Sequence, residues 1–564
     1  MPEPGSESRP GPIPERIVLV GYGPVGARFV EELLPVVRAG LATLTVVGAE
    51  TADAYNRVLI ADYAVGHAGR EALEVTDTAA ARATGVSILT GTSVTAISRT
   101  RSTVTLGTGA ELAWDRLVLA TGARANVPTL AGVARVRRNL MMPPQDAATL
   151  DSNEATLPRG VVALRDLDDA RTVRGAVRAG GRIVVLGAGV LGMELALAAA
   201  RGGAEVCVVH HGEIPMNRNL DRGGGTVLAR AARAAGVTMV NHSRAESVLF
   251  RLDDDAVQRF DALICADGKQ IGGDLLVLSC GTGARTELAH LAGLPVSTGI
   301  LVDGSLRSWA DPRIHAIGDC AHVAAPPAPG AGAARPTGGP TGLIGPGWRQ
   351  ADRLAADFTA RLTAAGSGGA PAPNEFAAGR AGDLLAPATA VVMLKAEGVD
   401  VVAAGDTAAD PWDSEPGSHA DGCATAPVSV SQWADPEHGR YVKMVTRSGI
   451  LTGFVCVGMP RTGAELTLLF ERGSELPADR SVLLRFDGPD DVPGAGGDAF
   501  ARETTVCWCN GVSVGAITDA AAAGNATVTC IGAATRAGTG CGGCKTRIGE
   551  LLDRFPVPTP APAP

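Results

Sequence analysis

The sequence predicts an α/β protein: two Rossmann-like dinucleotide-binding domains, a small α/β domain after them, and a small helical module at the C-terminal end. Three observations predict it. A strand, a glycine turn and a helix follow one another from Arg16 to Glu32, RIVLVGYGPVGARFVEE; the same succession recurs from Gly181; and two tight cysteine pairs stand near the end. A length of 564 residues calls for several domains, and an Ala-, Gly- and Val-rich, aromatic-poor composition suits α/β architecture. The net charge of −9 without a basic block argues against a nucleic-acid partner. The longest apolar run, Val184 to Ala200, carries Glu194 and three glycines, so it reads as a nucleotide turn and not a membrane span. With a polar, proline-rich start and no signal core, the expected location is the cytoplasm.

The first unit opens with a buried strand, Ile17 to Val20, that enters Gly21-Tyr22-Gly23-Pro24-Val25-Gly26, a G-x-G-x-x-G turn. Gly21 permits the sharp turn, Gly23 lets the backbone approach a pyrophosphate, and Gly26 lets helix pack on strand. The helix N-terminus then offers free N–H groups to phosphates. Glu50, after the strand LTVVGAE, is placed to accept hydrogen bonds from an adenosine ribose. Arg57 stands where it can meet an anionic cofactor or simply be solvated. The segment 86–120 reads as short strands and turns that end in Ala120-Thr121-Gly122, a second approach of backbone to cofactor.

The second unit repeats the device. Gly181 to Leu186 is a strand, Gly187-Ala188-Gly189-Val190-Leu191-Gly192 a second G-x-G-x-x-G, Met193 to Ala200 a helix, and Ala204 to His211 the next strand. Two such units suggest two different dinucleotides, FAD at the first and a nicotinamide at the second, with hydride passing between them. His210 and His211 stand where an acid would favour NAD and an arginine NADP. NADH is the expected donor, with NADPH the alternative.

A strand ending in Gly318-Asp319 can put a carboxylate on the flavin's ribityl hydroxyls, so the chain is expected to leave the first domain, build the second and return. The expected divisions are a disordered tail at 1–15, an FAD-binding domain at 16–155 and 289–363, and an NAD(P)H-binding domain at 156–288. A linker at 364–385 leads to a small α/β domain at 386–486 with strands in ATAVVMLKAEG, YVKMVTRSG and ILTGFVCVG. A second linker at 487–502 precedes the cysteine module at 503–553, and a proline-rich tail fills 554–564. Trp348 to Leu362 reads as a helix, and Ala324 to Pro340 as a flexible loop.

Cys507, Cys509, Cys541 and Cys544 form a C-x-C and a C-x-x-C pair. Four thiolates so spaced hold Zn²⁺ or a [2Fe–2S] cluster, and spacing alone leaves both open. Context favours the cluster, since a flavin takes two electrons from a hydride and gives them out singly. Val512 to Ala523 and Gly540 to Leu552 read as helices. Cys530 is surplus to the set, and the sequon at Asn525 is expected to be idle.

YNRVLIADYAVG, LATGA, IGDCA and GAGVLGMELALAAARGGAEVCVVH together resemble the flavoprotein portion of the NAD(P)H nitrite reductase large subunit. LKAEGVDVVAAGD and YVKMVTRSGILTGFVCVG resemble its following domain, and CWCNGVSVGAI with TRAGTGCGGCK its bacterioferritin-associated-ferredoxin-like (BFD-like) [2Fe–2S] domain. The resemblance covers about residues 16–552 and implies a [2Fe–2S] cluster at the terminal site. The sequence stops soon after Cys544, before any sirohaem region. The resemblance is therefore greatest to the assimilatory nitrate reductase electron-transfer subunit, which implies a catalytic nitrate (or nitrite) reductase subunit as electron acceptor. Related flavoproteins often carry a Lys a few residues after the counterpart of Arg57, where Ala61 and Asp62 stand here. A C-x4-C redox disulfide is also missing from the first domain. No general acid or base is expected, since the cofactors carry the chemistry. A redox-sensing or protein-binding flavoprotein is the alternative of another class.

Overall fold

The computed structural model describes residues 13–133, 157–252, 256–327, 336–366, 391–396, 398–410, 428–484, 487, 500–502, 504–507, 510, 512–540 and 542–555. Its first sheet has eight strands in the order Ala321–Val323, Ile300–Val302, Arg307–Ser308, Asp311–Ala316, Arg116–Leu119, Glu15–Val20, Ala42–Val47 and Ser87–Leu89. Glu15–Val20 and Arg116–Leu119 become continuous buried apolar runs from Ile17 and Leu117 onward, as strands covered on both faces do. Glu15–Val20 pairs in parallel with Ala42–Val47 on one side and Arg116–Leu119 on the other. The return is direct: Ile314, His315 and Ala316 pair in parallel with Leu117, Val118 and Leu119.

The tail expected at 1–15 differs from the structure at its last residue, and 1–12 lie outside the described residues. The first strand begins at Glu15, inside the segment expected to be disordered, because that carboxylate is held by Arg361 at 2.5 Å and Arg116 at 3.2 Å. The helix Pro24–Arg38 buries Phe29 and Leu33, and the long helix Ile344–Gly366 lies against it through Phe358. The loop expected from Ala324 to Pro340 is described only in part, since 328–335 lie outside the described residues.

The second sheet is five parallel strands, ordered Val237–Val240, Glu205–Val209, Arg182–Leu186, Leu275–Leu278 and Val161–Val162. A third, antiparallel sheet orders Val392–Ala396, Val399–Gly405, Ile450–Val457, Arg440–Arg447 and Val428–Asp435, with the helix Pro460–Arg472 beside it. Tyr441, Val455 and Val457 of this sheet share one core with Val227 and Leu228 of the second unit. Asp221 fastens that contact. It caps the helix Arg222–Ala234 by accepting from the Gly224 N–H at 3.1 Å, and it also takes the Tyr441 hydroxyl at 2.5 Å and the buried Lys443 ammonium at 3.3 Å.

The cysteine module is a short hairpin, Thr505–Cys507 with Val512–Ser513, and three helices: Val514–Ala522, Val528–Thr535 and Lys545–Arg554. The first helix starts at Val514 and not Val512, because Ser513 is its cap and accepts from Ala516. The last starts at Lys545 and not Gly540, since Gly542 takes a φ of 77° that no helix contains. The middle helix, capped by Thr527, was not expected from the sequence pattern.

Candidate cofactor sites

The two glycine turns are geometric doubles. Gly21 and Gly187 take φ of 111° and 114°, and a side chain at either would press into the carbonyl of Ala120 or Ser279 on the neighbouring strand. Gly26 and Gly192 meet the carbonyls of Gly21 and Gly187 in the same way, so these four positions need glycine for folding. Gly23 and Gly189 differ. A Cβ at either would meet nothing within 4 Å, yet both cap a helix without any side-chain capping bond. Open space in front of an uncapped helix N-terminus fits a phosphate. Pro24 fills the first helical turn, and its carbonyl accepts from the Trp348 indole at 3.1 Å. Val25 packs against Gly318 and Gly347. Val190 and Leu191 open the second helix.

Around the first turn the structure brings together residues far apart in sequence. Glu50 pairs with Arg57 and accepts from the Tyr55 hydroxyl at 2.8 Å. Arg57 also donates to the Tyr55 oxygen and to the Arg165 carbonyl, each at 3.0 Å. Arg165 in turn donates to Asp319 at 3.1 Å and to the Ala123 carbonyl at 3.2 Å. Thr121 donates to the Arg285 carbonyl at 3.0 Å, and the Arg285 N–H returns to Gly122 at 2.9 Å. Burial, then the neighbouring Arg57, pulls the Arg165 pKa down; burial with Arg124 and Arg57 pulls Arg285 down to about 10. Crowded, partly desolvated guanidiniums are what a bound anion relieves, so this donor set suits an anionic dinucleotide. Ala61, at the departure from the related flavoproteins, is buried in the helix Ile60–Val65.

Arg165, Arg285 and Arg124 are residues the sequence reading missed. Arg165 had a local signal, since it sits between a strand and the capping box of Asp166 and Asp169. Arg124 and Arg285 had none. They meet only through the pairing of Ala123–Ala125 with Thr282–Ala284.

At the second turn, His210 is buried at the strand end and bonds Asn241 at 3.1 Å, while His211 is exposed. Burial lowers the His210 pKa, keeping its imidazole neutral. Neither histidine supplies the acid or the arginine that would mark one nicotinamide over the other.

Of the four cysteines expected to hold the cluster, Cys509 and Cys541 lie outside the described residues. Cys507 and Cys544 are both buried and in contact, and Cys530 is exposed on the middle helix. The Cys544 thiol, together with Gly538 and Asn510, lowers the Cys507 pKa to about 6 despite burial. The Asn510 amide stands 3.8 Å from the Cys507 sulfur. An environment that stabilises thiolate fits a metal-cluster ligand.

The module is docked on the first unit. Asn56, fully buried, uses its Oδ1 to cap the turn at Val58 and points its Nδ2 at the carbonyls of Gly540 and Thr539, the residues just before Cys541. Arg536 reaches Glu32 at 3.0 Å and Glu31 at 3.4 Å on the helix Pro24–Arg38.

Two phosphate-ready glycine turns after parallel-paired strands, an arginine-rich basin beside the first, and a thiol-bearing module against it define a flavin- and NAD(P)H-dependent oxidoreductase with an iron–sulfur domain. The chain belongs to the pyridine nucleotide-disulphide oxidoreductase family, whose pattern matches residues 15–337, and residues 505–554 match the BFD-like [2Fe-2S] binding domain. Disulfide chemistry does not follow from the family's name, since the first cysteine of the sequence is Cys207.

The chain is 27% identical over 539 residues to the nitrite reductase [NAD(P)H] of Bacillus subtilis (strain 168), covering 95% of this chain and 57% of that protein. It is 24% identical over 543 residues to the assimilatory nitrate reductase electron transfer subunit of the same organism, covering 95% and 59%. It thus spans less than two thirds of the length of either relative. Among solved structures, the covalent putidaredoxin reductase–putidaredoxin complex superposes with a TM-score of 0.61 at 22% identity, over 85% of this chain and 97% of that one, a likeness of fold. Among the described residues, no helix is long and apolar enough to cross a membrane.

Proposed function

We propose that this chain is the electron-transfer component of a cytoplasmic reductase. NADH binds at Gly187, Gly189, Val190, Leu191 and Gly192, within a domain at about residues 156–288. FAD is held by Gly21, Gly23, Pro24, Val25, Gly26, Glu50, Arg57, Ala120, Thr121, Gly122, Gly318 and Asp319, in a domain of about 16–155 and 289–363, with Arg165 and Arg285 added as anion partners. Cys507, Cys509, Cys541 and Cys544 hold the [2Fe–2S] cluster. When bound, the flavin supplies the conversion of a two-electron hydride donor into single electrons, and the cluster carries them one at a time. The protein's own part is to orient and to exclude water. The glycine turns present N–H groups, Arg165 holds Asp319 in place, and Asn56 and Arg536 keep the cysteine loop against the flavin unit.

The observation that carries this reading is the contact of Asn56 with Gly540, which sets the cysteine loop one residue along the chain from Arg57. The acceptor we propose is a catalytic nitrate reductase subunit, in keeping with the electron-transfer relative. The nitrite reductase relative, matched over the same share of this chain, favours a second reading, the NADH-oxidising component of a nitrite reductase. Co-purification of the catalytic partner separates the two.

The first test is an anaerobic NADH titration followed by visible absorption, with iron and acid-labile sulfide assayed on the same sample. Flavin bleaching followed by loss of a broad iron–sulfur band, with about two irons per chain, supports the proposal. Flavin bleaching with zinc and no sulfide would overturn it.

A further inference from the structure

The helix Pro24–Arg38 and the helix Ile344–Gly366 together present an acidic patch. Glu31, Glu32 and Asp352 gather there around Arg28, which pairs with Asp352 at 2.5 Å and lies 3.7 Å from Glu32. Three carboxylates share one cation of their own unit. Burial raises the pKa of both Glu31 and Glu32, and Arg28 opposes that shift. The missing positive charge comes from the cysteine module, where Arg536 inserts its guanidinium between Glu31 and Glu32.

Arg536 is built into the cysteine loop at its other end. Its carbonyl accepts from the Asn510 amide at 2.8 Å and from the Thr539 hydroxyl at 2.8 Å, and that same Asn510 amide faces the Cys507 sulfur. It ends the helix Val528–Thr535 with a φ of 65°, a conformation that favours glycine or asparagine. The second contact, Asn56 with Thr539 and Gly540, adjoins the same loop.

We propose that Arg536 is a positioning residue, an electrostatic latch that locks the cysteine module onto Glu31 and Glu32. It fixes the distance across which the flavin-bearing unit delivers electrons to the cluster. The proposal rests on the function above, and it extends that reading to a salt-sensitive joint within the chain. In the step it governs, one electron leaves the reduced flavin unit and one enters the cluster; the second follows once the first has passed to the acceptor.

The test uses the full chain in four forms: wild type, R536E, the double variant E31R/E32R, and the three changes combined. Small-angle scattering and limited proteolysis read docking without reference to activity. Rapid mixing with NADH reads flavin bleaching and cluster bleaching as separate phases. R536E should enlarge the scattering radius, speed cleavage between the units, and slow the cluster phase at least about tenfold with the flavin phase unchanged. Raising salt from about 0.02 to about 0.5 M should move wild type toward the same behaviour. The combined variant should recover compactness. Should R536E lose its iron, R536Q and the wild-type salt series decide alone. Unchanged scattering and proteolysis in R536E and R536Q, or no recovery in the combined variant, would overturn the latch. Absence of iron and sulfide from wild type would instead overturn the proposed function, and the scattering result would still stand for the joint.

Discussion

Arg165 holds Asp319 at 3.1 Å, although 154 positions separate them in the chain. One lies in the loop that enters the second unit, the other at the end of the strand that returns to the first. Asp319 thereby has its orientation fixed by a residue outside its own sheet. Replacing Arg165 with Gln removes a charge-assisted bond to Asp319, of order 1.5–3 kcal/mol, while the backbone carbonyl that Arg57 uses stays in place. R165Q should bind FAD about tenfold to a hundredfold less tightly. Flavin retention through gel filtration, with free and bound flavin read by absorbance, checks this.

The glycines of each turn should separate into two kinds. Gly21→Ala and Gly187→Ala place a Cβ into backbone at a positive φ and should lower soluble yield and Tm. Gly23→Ala and Gly189→Ala should leave Tm unchanged while weakening FAD and raising the NADH KM respectively. A fall in Tm for Gly23→Ala equal to that for Gly21→Ala would show that the space before the helix is structural.

Loss of a cluster ligand should divide the electron path. C541S is expected to abolish reduction of the partner protein yet retain NADH-to-dye activity. If both activities fell together with flavin retained, the order of carriers would be wrong.

Asp221 is the fastening between the second unit and the antiparallel domain. D221A strips the helix of its cap and leaves the buried Lys443, among the described residues, with the Thr407 carbonyl at 2.9 Å as its remaining hydrogen-bond partner. The expected cost is about 3 kcal/mol, read as an early unfolding transition in calorimetry. D221N, which still caps and still accepts from Tyr441, should cost less.

His315 should govern part of the acid lability. Burial, reinforced by Arg116, Arg307 and Arg361, lowers its pKa to about 3 from an ordinary value of 6.5. Between those values the unfolded chain binds a proton that the folded chain does not, so stability falls as pH drops from 6.5 toward 3. H315F, in a site already lined by Phe358 at 5.0 Å between ring centroids, should flatten that slope in urea titrations at pH 6.5 and 4.5. An unchanged slope would remove His315 from the account.

The glycine turns were legible in sequence because their requirement is local: one residue's φ and one neighbour's carbonyl. The return of the chain at Gly318-Asp319 was legible because a strand ending in Gly-Asp announces itself. The arginine basin was not. Arg124 and Arg285 acquire meaning only from a two-strand pairing that carries no periodicity, and Asn56 passes for an ordinary turn residue until Gly540 is set beside it. The strands Val399–Gly405 and Val428–Asp435 went unmarked beside three neighbours with clearer turns. Charge pairing between distant units, as between Arg536 and Glu31, leaves no trace in spacing at all.

The pairing of Arg116–Leu119 with Asp311–Ala316 has a consequence for synthesis on the ribosome. The first sheet cannot be completed until its last strand, Ala321–Val323, has emerged. The inserted sheet from Val161 to Leu278 is contiguous by then and free to close first. The second unit is therefore expected to fold ahead of the first unit that precedes it in the chain, and a nascent chain arrested near residue 300 should expose an unfinished N-terminal half to chaperones.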